Sequence, residues 1–179
     1  MSRAAALFRL MGDEGRFAIM TTLLRPGLLL MAGVEWVLGL WTALAPRSFY
    51  DDVPTVDLTP PFSEHLMRDF GGATLGLAIA LTAAAVWLER RLVVVALLAY
   101  LAWAGPHLMF HVGHLEGATP LESTALVALL VGSVVLPLGL LAISCRADLP
   151  RGRGSRPASG WPDPASPAGG TRTSSPSPR

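Results

Sequence analysis

Four apolar stretches, at about residues 26–45, 69–88, 92–112 and 121–144, each approach the ~20 residues that carry a helix across the hydrocarbon core of a bilayer. No water is present there to satisfy exposed peptide groups, so each stretch is expected to cross as a transmembrane helix. The expected fold is all-α: a membrane-embedded antiparallel four-helix bundle whose first partner is the lipid bilayer. Composition agrees, with 51% hydrophobic and 15% charged residues and a mean hydropathy of +0.47.

The segments between the spans alternate in charge. Arg3, Arg9, Arg16 and Arg25 precede the first span, Arg90 and Arg91 sit in the second connection, and Arg146, Arg151, Arg153 and Arg156 follow the fourth. The other two connections hold Arg47 and Arg68 against Asp51, Asp52, Asp57, Glu64, Glu116 and Glu122. The positive-inside rule then predicts a multi-pass protein of the plasma membrane with both termini cytoplasmic and the acidic loops outside. A net charge of +1 provides no basic field for nucleic acid. The lone Cys145 excludes an internal disulfide, a CxxC pair and a thiolate metal cage.

Residues 1–25 read as a cytoplasmic segment, with Phe8, Met11, Phe17, Met20 and Leu24 available for the apolar side of a short amphipathic helix on the membrane surface. A cleaved leader is rejected because Glu35 interrupts the apolar run, Pro46 follows the Ala43-Leu44-Ala45 triplet, and three spans come after it. Glu89-Arg90-Arg91 predicts a tight hairpin, since a continuous helix would hold three charges at mid-membrane. Thr119-Pro120-Leu121-Glu122 combines a capping box with proline in the first helical position, and Thr59-Pro60 suggests a similar start that would project the second helix, with His65, above the membrane. From 145 to 179 the chain turns to Pro, Ser, Gly and Arg, the composition of a disordered tail.

Polar residues inside spans are costly, so their placement carries the functional information. On the third span Tyr100, Trp103, His107, His111 and His114 are spaced by 3, 4, 4 and 3 and fall within one arc of roughly 80°, a stripe expected to face the bundle interior. On the second, His65, Asp69, Gly72 and Gly76 share a face, where the GxxxG pair predicts close packing within the chain. On the first, Glu35, Gly39 and Thr42 share a face, and Glu35 lies ~13 Å from the inner end, near the midplane. A charged carboxylate there costs on the order of 3 kcal/mol or more, so Glu35 is expected neutral and hydrogen-bonded across helices, with proton relay as the other role.

Asp51, Asp52, Glu64, His65, Asp69, His107, His111 and His114 together form an outer constellation of imidazoles and carboxylates. It reads either as a hydrogen-bond and ion-pair cap or as a site for a divalent metal, with His65, Asp69, His107 and His111 expected to converge. No Ser-His-Asp order, HExxH, Walker loop or GxGxxG is present, and the reading leans away from an enzyme. Two functional classes follow. One is an accessory or interaction protein, acting as a homo-oligomer or with a membrane partner subunit. The other is a metal-, proton- or quinone-handling redox or transport protein using the outer His/Asp site.

In the stretches Phe49-Tyr50-Asp51-Asp52-Val53-Pro54, Ser63-Glu64-His65-Leu66-Met67-Arg68-Asp69-Phe70-Gly71 and Pro106-His107 through His111 to His114, the chain resembles bacterial four-span membrane proteins of unknown role that are DoxX-like. The resemblance covers about residues 26–144 and implies a small antiparallel four-helix bundle. DoxX relatives are linked to sulfur-compound oxidation coupled to quinone, and no residue pattern here carries that reaction over.

Overall fold

The computed structural model describes residues 13–58 and 61–146. Among these all the regular structure is helical: α1 (Asp13–Leu44), α2 (Pro46–Asp52), a 3-10 turn (Val56–Leu58), α3 (Glu64–Trp87), α4 (Arg90–Val112) and α5 (Pro120–Arg146). The long helices α1, α3, α4 and α5 are each long and apolar enough to cross a membrane. They form the expected antiparallel bundle. One end carries the tight turn between α3 and α4 and is called the hairpin end; the other carries residues 45–58, 61–63 and 113–119 and is called the loop end.

Two boundaries differ from expectation. The segment assigned to a separate surface helix is, from Asp13 onward, the start of α1, which runs through Pro26 without a break. Leu24, assigned to the membrane-facing side, is fully buried in the core. Phe8, Met11 and the predicted tail after Arg146 lie outside the described residues. The second long helix begins at Glu64, later than Thr59-Pro60 suggested, because the Ser63 hydroxyl accepts a hydrogen bond from the Leu66 amide and caps it there. His65 still stands in its first turn.

The packing is two helix pairs. α1 lies most extensively against α3, and α4 against α5. The α1 seam is Leu24, Leu28, Met31, Glu35, Gly39 and Thr42, and the α3 seam is Met67, Gly71, Thr74, Ala78, Leu81 and Ala85, each repeating at three- and four-residue steps. At the loop end the two backbones nearly touch. A Cβ on Gly71 would lie 2.6 Å from the Ala43 nitrogen, and one on Gly39 would lie 2.9 Å from Leu75 Cγ.

Gly72 and Gly76 are therefore not the packing glycines that their spacing suggested. Both are exposed, and a Cβ on either would meet nothing within 4 Å. At 100° per residue the stripe His65, Asp69, Gly72, Gly76 lies about 160° from the Met67–Gly71–Thr74–Ala78 seam, so it points out of the bundle.

Basic side chains close the helix C-termini, whose last carbonyls have no partner within their own helix. Arg68 of α3 donates to the Ala43 carbonyl of α1, Arg25 of α1 to Ala85 and Val86 of α3 at 3.2 and 3.5 Å, and Arg90 of α4 to Cys145 of α5 at 3.2 Å. Just beyond α4 the His114 Nδ1 lies 2.8 Å from the Phe110 carbonyl. The hairpin itself turns at Leu88, which adopts the left-handed conformation (φ 49°). The capping box at α5 forms as predicted: the Thr119 amide donates to Glu122 Oε2 at 2.8 Å and the Glu122 amide to Thr119 Oγ1 at 3.3 Å.

Candidate functional site

The α4 stripe continues the buried face of its helix. Tyr100 is buried beside Ala104 and Leu97, and Trp103 reaches across to Phe70 of α3, ring centroids 5.8 Å apart. Rings then follow one another toward the loop end. Tyr100 to Trp103 is 6.4 Å, Trp103 to His107 is 4.5 Å and nearly parallel, and His107 to His111 is 4.6 Å and edge-on. His114 stacks on Phe110 at 4.1 Å. From Phe70 the aromatic contacts extend sideways through Phe49 to Trp41.

At the lower end of this column sits Glu35, which by helix rise lies at the level of Tyr100. Its side chain is 1% exposed and its Oε2 has no hydrogen-bond partner, where a hydrogen bond across helices was expected. Ser133 of α5 adjoins the Tyr100 hydroxyl, and Thr74 of α3, 1% exposed, has a hydroxyl that is also unpartnered. All four spans thus bring a polar side chain to the middle of the bundle. Thr42, grouped with Glu35 by spacing, differs: its hydroxyl donates to the Leu38 carbonyl at 2.7 Å and is fully buried under Gly71.

The loop-end carboxylates are engaged locally. Arg47 Nε donates to Asp51 at 2.7 Å, the Ser48 hydroxyl to Asp52 at 2.7 Å, and Arg68 to Glu64 at 2.9 Å. The Asp51 carboxylate holds the Arg47 pKa above its ordinary value, and the same guanidinium lies 5.0 Å from the Phe62 ring. His65 and Asp69 face each other at 3.3 Å as an i,i+4 pair with side chains 88% and 64% exposed.

Of the residues expected to converge, the structure pairs His107 with His111 and His65 with Asp69. It does not join the two pairs. Among the described residues no three His, Cys, Asp or Glu side chains come within reach of one metal ion. The reason is rotational, since the α3 pair shares the outward stripe of Gly72 and Gly76 while the α4 histidines follow the inward face of Tyr100.

Three contributors escaped sequence reasoning: Thr74, Ser133 and Gly71. Thr74 lies on the Gly71 seam, and Ser133 repeats with Pro137, Leu140 and Ser144 at steps of 4, 3 and 4. That stripe, with serine at two of its four positions on a largely apolar helix, was the available signal. No family model, curated protein or solved structure matches the chain.

Proposed function

We propose that this protein is a proton-handling four-span protein of the plasma membrane, with both termini cytoplasmic, in which Glu35 binds and releases a proton inside the bundle. The observation that carries this is the buried, unpartnered Glu35 Oε2. A neutral carboxyl retained for structure would have both oxygens hydrogen-bonded, because a buried polar atom left unsatisfied costs about 1–3 kcal/mol. A group held at that cost, at a depth where its charged form costs more still, is placed for chemistry rather than for stability. Tyr100 supplies a hydroxyl that can accept or donate as the carboxyl changes state, while the Ser133 hydroxyl donates to the Leu130 carbonyl at 2.7 Å. The DoxX-like resemblance supports the bundle alone and adds nothing to this chemistry.

Infrared spectroscopy of the reconstituted full chain tests the reading. The carbonyl stretch of a protonated carboxyl should disappear reversibly as pH is raised and be missing in Glu35→Gln. A Glu35 band that stays constant over the whole pH range of the folded protein would refute proton exchange.

A second reading, an accessory or partner-binding subunit, is favoured by the open His65, Asp69, Gly72, Gly76 stripe, where a homo-oligomer or another membrane subunit would find close backbone approach. Disulfide trapping of Gly76→Cys in native membranes, with Cys145→Ser as background, tests it. A protein that stays uncrosslinked there has no partner copy at that face.

A further inference from the structure

The two halves of the bundle place different matter between Glu35 and the surface. Toward the hairpin end lie Leu24 and Leu28 of α1, Leu81 of α3, and Val93 and Leu97 of α4, all without exposed surface. Pro137 and Leu140 of α5 complete that layer. The apolar side chains offer a proton no group to bind, the hydroxyl of Ser144, also buried in this half, is engaged in donating to the Leu141 carbonyl at 2.8 Å, and close packing leaves little room for water.

Toward the loop end α1 and α3 stay closely packed through Gly39, Thr42, Gly71 and Thr74, and the packing changes only on the side of α4 and α5. Ala104 is the last buried residue of α4, and α5 has none between Pro120 and Pro137. Along that stretch the inward face of α4 carries His107 and His111, both half-buried, before His114 at the surface. An imidazole nitrogen can donate or accept, so these rings are able to order water in either direction of proton movement.

We propose that Glu35 communicates with the loop end only: water enters along the His107–His111 face of α4 and exchanges protons with the carboxyl beside Tyr100, while the hairpin half is a fixed seal. This rests on the reading of Glu35 as a proton-binding group and adds the side from which it is reached. In each exchange the carboxyl O–H bond breaks, a bond to hydrogen forms on the adjacent water, and the water chain releases an equivalent proton at the loop-end surface. No electron moves. Tyr100 is about 10 Å from the level of His107 by helix rise, so the step requires water rather than direct transfer. The groups facing Glu35 from its neighbours are Tyr100 on α4 and, by register, Thr74 and Ala78 on α3, with Ser133 of α5 behind Tyr100; of these only Tyr100 is ionisable. Beside His107 stand Trp103 and His111. At the level of His111 the nearest acid on α5 is Glu122, which is occupied in capping Thr119.

Accessibility decides the question. In the full-length chain with Cys145→Ser, Glu35→Cys is exposed to a small charged thiol reagent added to one face of the membrane at a time. Loop-end reagent should label it, hairpin-end reagent should not, and His107→Trp should slow labelling at least ~10-fold by filling the path. Tyr100→Cys at the same depth repeats the test should Glu35→Cys fold poorly. Labelling from the hairpin end, or from neither end at both positions, overturns the proposal. The infrared titration keeps the two failures apart: a titrating carboxyl with hairpin-end labelling sinks the direction alone, and a static carboxyl with loop-end labelling sinks the proton-binding reading.

Discussion

Gly71 of α3 meets the backbone of Ala43 in α1 so closely that a Cβ there would stand 2.6 Å from the Ala43 nitrogen and 2.7 Å from Thr42 Oγ1. The next residue, Gly72, faces open space. One methyl group should therefore separate two adjacent glycines. Gly71→Ala should force α1 and α3 apart at the loop end and cost about 1–3 kcal/mol, whereas Gly72→Ala should be neutral or stabilise by roughly 0.5–1 kcal/mol through helix propensity. Unfolding of both variants in mixed detergent micelles checks the contrast, and equal losses would mean that the seam runs elsewhere.

That contrast shows where sequence reading succeeds and where it stops. The four spans were legible because length and apolarity alone decide them. The inward direction of the α4 stripe was legible from Tyr100 to His111, because imidazoles in one arc are poorly tolerated against lipid, whereas His114, counted in the same stripe, lies exposed beyond the end of the helix. On α3 the same periodicity found a true face, His65 to Gly76, but not the side to which it turns. Lipid and protein interior are both apolar, so the asymmetry that orients a soluble helix is missing, and the choice between Gly71 and Gly72 rests on a contact with Ala43 that is remote in sequence. The start of α1 was hidden for a related reason. Arg25 reads as the polar end of a span until its guanidinium is seen to reach the carbonyls of Ala85 and Val86.

Arg68 joins two interactions of unequal value. Its contact with Glu64 is an exposed i,i+4 pair, while its contact with the Ala43 carbonyl closes the end of α1. Glu64→Gln should change stability by no more than ~0.5 kcal/mol, and Arg68→Met should cost about 1–2 kcal/mol because the α1 carbonyls lose their cap. Chemical unfolding of the two variants measures the difference; a larger loss from Glu64→Gln would make the ion pair the dominant contact.

The orientation proposed from the distribution of charge is open to direct labelling. With Cys145→Ser as background, single cysteines at Asp57 and Glu116, both exposed at the loop end, should react with a membrane-impermeant thiol reagent in intact cells. Glu89→Cys, exposed at the hairpin, should react only after permeabilisation. Reversal of this pattern would put the hairpin outside and with it both termini.

Glu35 offers the sharpest test of whether function or stability keeps a side chain in place. Replacing it with leucine removes a buried oxygen that has no partner and fills similar space with apolar atoms, so Glu35→Leu should unfold later than the parent by about 1–3 kcal/mol. Glu35→Lys at the same depth should lose on the order of 3 kcal/mol or more, since the ammonium is buried without a carboxylate to pair with. Glu35→Gln should stay near the parent, because the amide retains the shape and the unsatisfied polarity. The order Leu above parent and Gln, with Lys lowest, is the signature of a carboxyl that the fold tolerates rather than needs. If leucine instead destabilises the bundle, Glu35 has a hydrogen bond that stabilises the native helices, and its place at mid-membrane is structural.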